Sequence, residues 1–272
     1  GHAMAALRLA AAVLGWSARL VESLADADLD RLLGVDRAED FARIEPADRE
    51  QPDALLIIEP AAILGDTSPH ATNVTEFSLD WLREAVGHGD WTGQANPLSD
   101  SHVDWSIIEA AATAAWKPAT KLEHTTAWPE LPPVMPSSSI PASRIIRQRR
   151  SCLALDGQTP ISAQTFYCML DHLLPRRNIA PWEPLVHLAV FVHRIEGLQA
   201  GLYLFERTAE VHSRLQETVT AKATWQSVPG CPAHLRLYFL VPGDCRHLAG
   251  VISCHQEIAA DGAFSLGMIA EY

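Results

Sequence analysis

The sequence predicts an α+β layer fold, an antiparallel-rich sheet flanked by helices. Three observations carry that prediction. LVHLAVFVHRI (Leu185 to Ile195) and GLYLFER (Gly201 to Arg207) are β-branched and aromatic runs joined by a glycine-containing turn, close enough to pair as a hairpin. LRLYFLV (Leu235 to Val241) supplies a third strand soon after. Helical patterns lie before and after these runs instead of alternating with them, which suits helices packed on an antiparallel sheet.

Taken in order, Ala3 to Leu14 is rich in Ala and Leu and is closed by Gly15 at the position after the helix end. Ala25 to Leu33 is a shorter helix, with Asp26, Asp28 and Asp30 early and Gly34 as its stop. DALLIIEP (Asp53 to Pro60) is a short continuous apolar run, expected as a buried strand. The first block is therefore expected to run helix, helix, strand.

From Ala61 the character changes, with many prolines and with Trp81, Trp91, Trp105, Trp116 and Trp128. SLDWLREAV (Ser78 to Val86) and SHVDWSIIEAAATAAW (Ser101 to Trp116) have helical spacing; Ser101 is placed to cap the second, with Asp104 at the capping-box position. LPPVMPSSSIP ends the stretch as an extended linker. So many tryptophans predict that the stretch packs against a folded body.

The last block opens near Arg144. Ser162 caps a helix to Leu174, with Phe166, Met169, Leu170, Leu173 and Leu174 on one face. The three strands follow. From Arg246 the pattern returns to helix, with a break near Asp261-Gly262, and the chain is expected to stop inside that helix. A chain that both begins and ends in mid-helix predicts an internal fragment of a longer protein.

Composition narrows the function classes. The 272 residues are 48% hydrophobic and 20% charged, which suits a globular protein with a sizeable core. A formal net charge of -12 argues against a general nucleic-acid binder. No apolar run is long enough to span a bilayer and no signal peptide opens the chain. Five cysteines, an odd number without a CxxC pair, predict a reduced cytoplasmic interior in which each is a packing residue.

Against that acidic background RIIRQRRSC (Arg144 to Cys152) stands out, with four arginines in seven residues. On a helix beginning near Ser143, Arg147 and Arg150 share a face and Arg149 is turned about 100° away. The fan suits a compact polyanion, such as a phosphate with neighbouring polar ring edges, and the Ser151 hydroxyl adds a donor. The alternative is that arginines near a helix C-terminus complement its dipole and bind nothing.

RRS, followed by DGQTPISAQTFYCMLDHLL, resembles the opening of the nitroreductase superfamily, and its SagB-type (thiazoline/oxazoline) dehydrogenase branch in particular. VFVHRIEGLQAGLYLFER is similar to that branch's strand and Gly-Leu-Tyr hairpin, and CHQEIAADGAFSLGMIAEY to the stretch that follows it. GHAMAALRLAAAVLGW, LLGV and DALLIIEP resemble the carboxy-terminal half of the same module. The resemblance implies a nitroreductase-like fold, incomplete at both ends, in a tandem protein. Residues 1–60 would end a first module, 61–142 connect, and 143–272 begin a second module. It also implies FMN held by Arg147, Arg149, Arg150 and Ser151. The pairing would be of two modules in one chain, or of a homodimer. Hydride would pass between the flavin and a small organic substrate, with NAD(P)H as one candidate. It names no catalytic side chain. Tyr203 and His193 are conceivable proton donors or acceptors, though strand residues of these types more often serve the core or the sheet surface.

Two other classes remain open. Cys245, His247, Cys254 and His255 offer zinc ligand types, but without the usual paired spacings. Neither GxSxG nor a phosphate-binding glycine loop occurs. The second class is a non-catalytic, degenerate flavin-fold scaffold or partner subunit. It is favoured by Cys152, Leu153 and Ala154 where a further Arg is common, and by Glu59-Pro60 in place of a glycine-rich turn.

Overall fold

The structure is a computed structural model. It describes every residue except 1, 45–48, 61–83, 98–100, 102, 104, 121–128, 135–137, 177–183, 220–222 and 271–272. The expected helix at Ser78 to Val86 falls mostly outside the described residues, as do Trp81 and Trp128. The chain forms two compact units, residues 1–125 and 126–272.

In the first unit, α1 (His2–Val13) is followed by Gly15 in the left-handed region, where the missing Cβ makes that conformation cheap. β1 (Ser17–Leu20) comes next, then α2 (Asp26–Leu33), a short 3-10 turn (Ala38–Phe41) and β2 (Leu56–Glu59). β1 and β2 pair antiparallel, Ser17 opposite Glu59 through Leu20 opposite Leu56. Two expectations change here. The first block contains a strand at Ser17–Leu20 that its short, mixed sequence does not announce. β2, expected to be buried, is half-exposed, because a two-stranded ribbon leaves one face to solvent.

Gly34 ends α2 at φ 69°, as its sequence position predicts, and donates to Arg31 O, while Val35 N–H donates to Asp30 O at 2.9 Å. The Trp91 ring lies against it. A Cβ at Gly34 would sit 2.7 Å from that ring, so glycine is required by contact as well as by conformation.

α3 (Ser106–Ala115) begins later than expected, with Trp105 at its N-cap and no side-chain cap. The N-cap position falls on Trp105, so the capping position expected for Ser101 is not the one observed. None of α3 is buried; Ile107 is 67% and Ile108 61% exposed. Just beyond it the chain does dock. Lys117 Nζ donates to Glu22 O and Leu24 O, both at 2.7 Å, and Lys117 N–H donates to Asp26 Oδ2 at 2.8 Å.

The second unit holds the main sheet. α4 (Ala142–Gln148) precedes β3 (Ile161–Ser162) and α5 (Ala163–Asp171). Ser162 Oγ accepts the Thr165 N–H at 3.2 Å, the cap the sequence predicts. β4 (Val186–Val192), β5 (Ile195–Glu196) and β6 (Gly201–Glu206) follow, then α6 (His212–Thr218), β7 (Gln226–Ser227) and β8 (Arg236–Pro242). The chain continues through α7 (Arg246–Ile252), α8 (Glu257–Asp261) and β9 (Phe264–Ala270). The five-stranded sheet has order β7-β8-β6-β4-β9, antiparallel throughout, and β3 pairs separately with β5 in parallel.

The predicted hairpin is present, with Leu188 opposite Phe205 and Val192 opposite Gly201. One sheet face carries Val190, Val192, Tyr203, Phe205 and Leu237, covered by Phe166, Tyr167, Leu170 and Leu174 from α5 and its end. Met169 and Leu173, expected on that stripe, are exposed, and Tyr167 is buried instead. The stripe runs 163, 166, 167, 170, 174, so Met169 and Leu173 fall one residue off its axis. The opposite face carries Leu204 and Leu240 under Leu215 of α6.

The expected carboxy-terminal helix is corrected. α7 and α8 are short, separated by Cys254 and His255, both at positive φ (57° and 60°), and the chain then becomes β9. β9 pairs with β4 along its length, Val186 opposite Ala270 through Val192 opposite Phe264. Its mixed Leu, Met, Ile and Ala content suits a helix equally well, and pairing with the central strand decides it. No helix among the described residues is long and apolar enough to cross a membrane.

Candidate functional site

α4 is short and ends at Gln148; Arg149 is its C-cap, with φ -56° and ψ 147°. Arg144 and Arg147 are therefore helical, Arg149 and Arg150 are not, and the expected shared helix face of Arg147 with Arg150 is not formed. The backbone extends at Arg149, so Arg150 and Ser151 leave along a different direction. Arg147, Arg149, Arg150 and Ser151 are all exposed. Arg150 Nη1 donates to Arg149 O at 2.8 Å and Arg147 O at 3.1 Å, and Arg147 Nε donates to Ser143 O at 3.4 Å. Arg150 thus caps carbonyls at the end of α4, the dipole-complementing arrangement weighed as an alternative, while Arg147 reaches back to the first turn of the helix. None of the three forms an ion pair with an acid among the described residues. Positive charge is thus gathered on the surface of an acidic chain without an acidic partner among the described residues.

The donor set fits the phosphate end of FMN: planar forks and a hydroxyl, exposed and able to turn. Two cavities among the described residues, of about 350 and 710 Å³, are lined by residues of the first unit and not by this cluster.

His193 and Tyr203 are not brought to the arginines by any described contact. His193 Nε2 lies 3.0 Å from Ala259 O, so it carries the proton and donates, and burial holds its pKa below the usual imidazole value. Tyr203 donates its hydroxyl to Gln199 O at 2.7 Å inside the core, and burial pushes its pKa up to about 12. Both are structural residues, tied to backbone carbonyls. Cys245 is half-buried, Cys254 is exposed in the turn with His255, and no group of three metal-ligand side chains gathers among the described residues. Cys152 is also exposed, so packing does not account for all five cysteines.

A polar cluster escaped the sequence reading. Glu206, at the end of β6, has 0% exposure. Its Oε2 accepts from Arg236 Nη2 at 2.8 Å and Nε at 3.0 Å, and its Oε1 accepts from His212 Nδ1 at 2.6 Å. The His212 ring meets Trp225 edge-on and lies tilted against Tyr238. The signal was present as a lone carboxylate in LYLFE and an arginine opening the strand that pairs with it, Glu206 opposite Arg236. Nearby, buried His187 accepts the Arg207 N–H at 3.1 Å.

The arrangement defines an α+β protein with an antiparallel sheet and an exposed cluster of basic residues. No protein-family profile matches the chain, and no curated protein matches it. Among solved structures it is similar to the crystal structure of a candidate nitroreductase from Anabaena variabilis, at 14% identity and a TM-score of 0.43. The match covers 99% of this chain and 49% of that one, so this chain spans about half the length of the protein it matches. A likeness so distant carries no conclusion about binding or activity.

Proposed function

We propose that the chain is part of an FMN-dependent oxidoreductase of the nitroreductase or SagB-type dehydrogenase kind, acting on a small organic substrate. The observation that carries this reading is the exposed Arg147, Arg149 and Arg150 set beside Ser151, with no acidic partner among the described residues, within the sequence that resembles the family's flavin-gripping element. Bound FMN would supply hydride and electron transfer. Arg149 and Arg150 would hold its phosphate by charge-assisted hydrogen bonds, with Ser151 donating to a further oxygen. Arg147 would place positive charge near the pyrimidine edge, where it favours negative charge. The ring slot would come from pairing with a second module, in the same polypeptide or in a homodimer, in the cytoplasm. NAD(P)H is a candidate reductant.

The carbonyl caps made by Arg150 favour a second reading, a scaffold or partner subunit that keeps the architecture without the cofactor. Flavin retention separates the two. The intact protein containing this chain should purify yellow, and R149A/R150A should lose the flavin while keeping the far-UV circular dichroism of the parent. A colourless parent that takes up no added FMN supports the scaffold, and a double variant that stays yellow removes these arginines from the site.

A further inference from the structure

A cleft of about 350 Å³ opens in the first unit, between α2 and residues 86–91. Its volume lies at the lower end of the roughly 300–1,000 Å³ typical of small-molecule sites. Leu24, Leu32 and Val86 supply apolar lining, and Trp91, fixed against Gly34, supplies an aromatic wall. Four charged residues also line it: Asp28, Arg31, Asp36 and Arg37.

These charges are not equivalent. Arg37 is committed, with Nε 2.6 Å from Asp40 Oδ2, Nη2 3.2 Å from Glu39 Oε1 and its guanidinium 5.7 Å from the Trp91 ring centre. Arg31 and Asp36, both exposed, form no side-chain hydrogen bond or ion pair among the described residues. Arg31, in the last turn of α2, also complements the helix dipole. Asp36 follows the C-terminus of that helix, whose partial charge is negative; after burial, its field is what disfavours the charged form of Asp30, and its favourable neighbour is Arg37, already held by Asp40 and Glu39. Arg31 and Asp36 thus line the α2 side of a cleft whose other wall is Val86 and Trp91, and they leave one positive and one negative group to be matched by a guest.

The geometry points to a small zwitterion as that guest, a free α-amino acid with an apolar or aromatic side chain. Its carboxylate pairs with Arg31, its ammonium with Asp36, and its side chain lies on Trp91, Leu32 and Val86. A simple anion or cation would satisfy one of the two groups and leave the other unmatched. The site uses none of the residues of the flavin reading and stands or falls separately from it.

The test is a titration of the 272-residue chain, ¹⁵N-labelled, following the tryptophan indole N–H resonances. The Trp91 signal is assigned with W91F. L-leucine should shift that signal saturably. N-acetyl-L-leucine, which lacks the ammonium, and L-leucinamide, which lacks the carboxylate, should each bind at least tenfold more weakly. D36N should reduce L-leucine to the affinity of the acetylated compound, and R31Q to that of the amide. Both positions are exposed, so these variants keep the test open if W91F does not fold. An indole spectrum that L-leucine does not shift, or equal binding of all three compounds, overturns the inference.

Discussion

The two units bury their apolar residues very differently. In residues 126–272 a helix stripe meets a twisted sheet, and Phe166, Val190, Val192 and Phe205 are completely enclosed. In residues 1–125 the described core is Ala11, Leu24, Leu29 and Val35, a two-stranded ribbon exposes one face, and α3 buries nothing. A five-stranded sheet has two faces to cover and supports a layer on each. A ribbon cannot, and its surroundings must be held by polar ties such as the Lys117 contacts.

The contrast can be broken most directly at Phe205. Phe205→Ala should cost about 3–5 kcal/mol, because the enclosed site cannot collapse around the lost ring. Chemical denaturation of the chain, followed by circular dichroism of the strand-rich unit, reads this loss. Arg236→Met comes next, at about 3 kcal/mol, since it strips one partner from a carboxylate that has no access to water. The loss should shrink when Glu206 is replaced by Gln in the same chain, and a double-mutant cycle measures that coupling.

Tyr203→Phe sharpens the comparison through pH. The folded state holds the phenol neutral to about 12, above its ordinary value of 10.0, so its contribution is fully present below pH 10 and is lost as pH rises towards 12. The variant should lose about 1 kcal/mol at neutral pH, from the bond to Gln199 O, and should show a flatter decline of stability between pH 10 and 12. Denaturant midpoints measured across that range check the sign. The smallest effect is expected in the first unit: Ile107→Ser on exposed α3 should change stability by no more than about 0.5 kcal/mol. An effect as large as that of Phe205→Ala would mean that this face is covered.

The same contrast explains what was legible in the sequence. The hairpin from Val186 to Glu206, the Ser162 cap and the Gly34 stop were readable because each rests on a local rule: alternation, an oxygen for an orphan N–H, a residue tolerant of positive φ. β9 was not, because only its pairing with β4 distinguishes it from the end of a helix. β1 was too short to carry a pattern. The arginine cluster was visible as charge against an acidic background, yet its arrangement depends on where α4 stops, and a one-residue difference at Arg149 redirects Arg150. Glu206 was missed because its partners come from different elements, one on the neighbouring strand and one at the start of α6.

β4 owes its central place to neighbours that arrive at very different times. Gly201 lies nine residues beyond its partner Val192, whereas Phe264 lies 72 residues beyond the same valine. A nascent chain can close the hairpin as soon as β6 emerges, but the other edge of β4 stays open until β9 has also left the ribosome. That open edge is apolar and unprotected in the interval, so the growing polypeptide depends on rapid completion, or on a chaperone, to avoid pairing with a stranger.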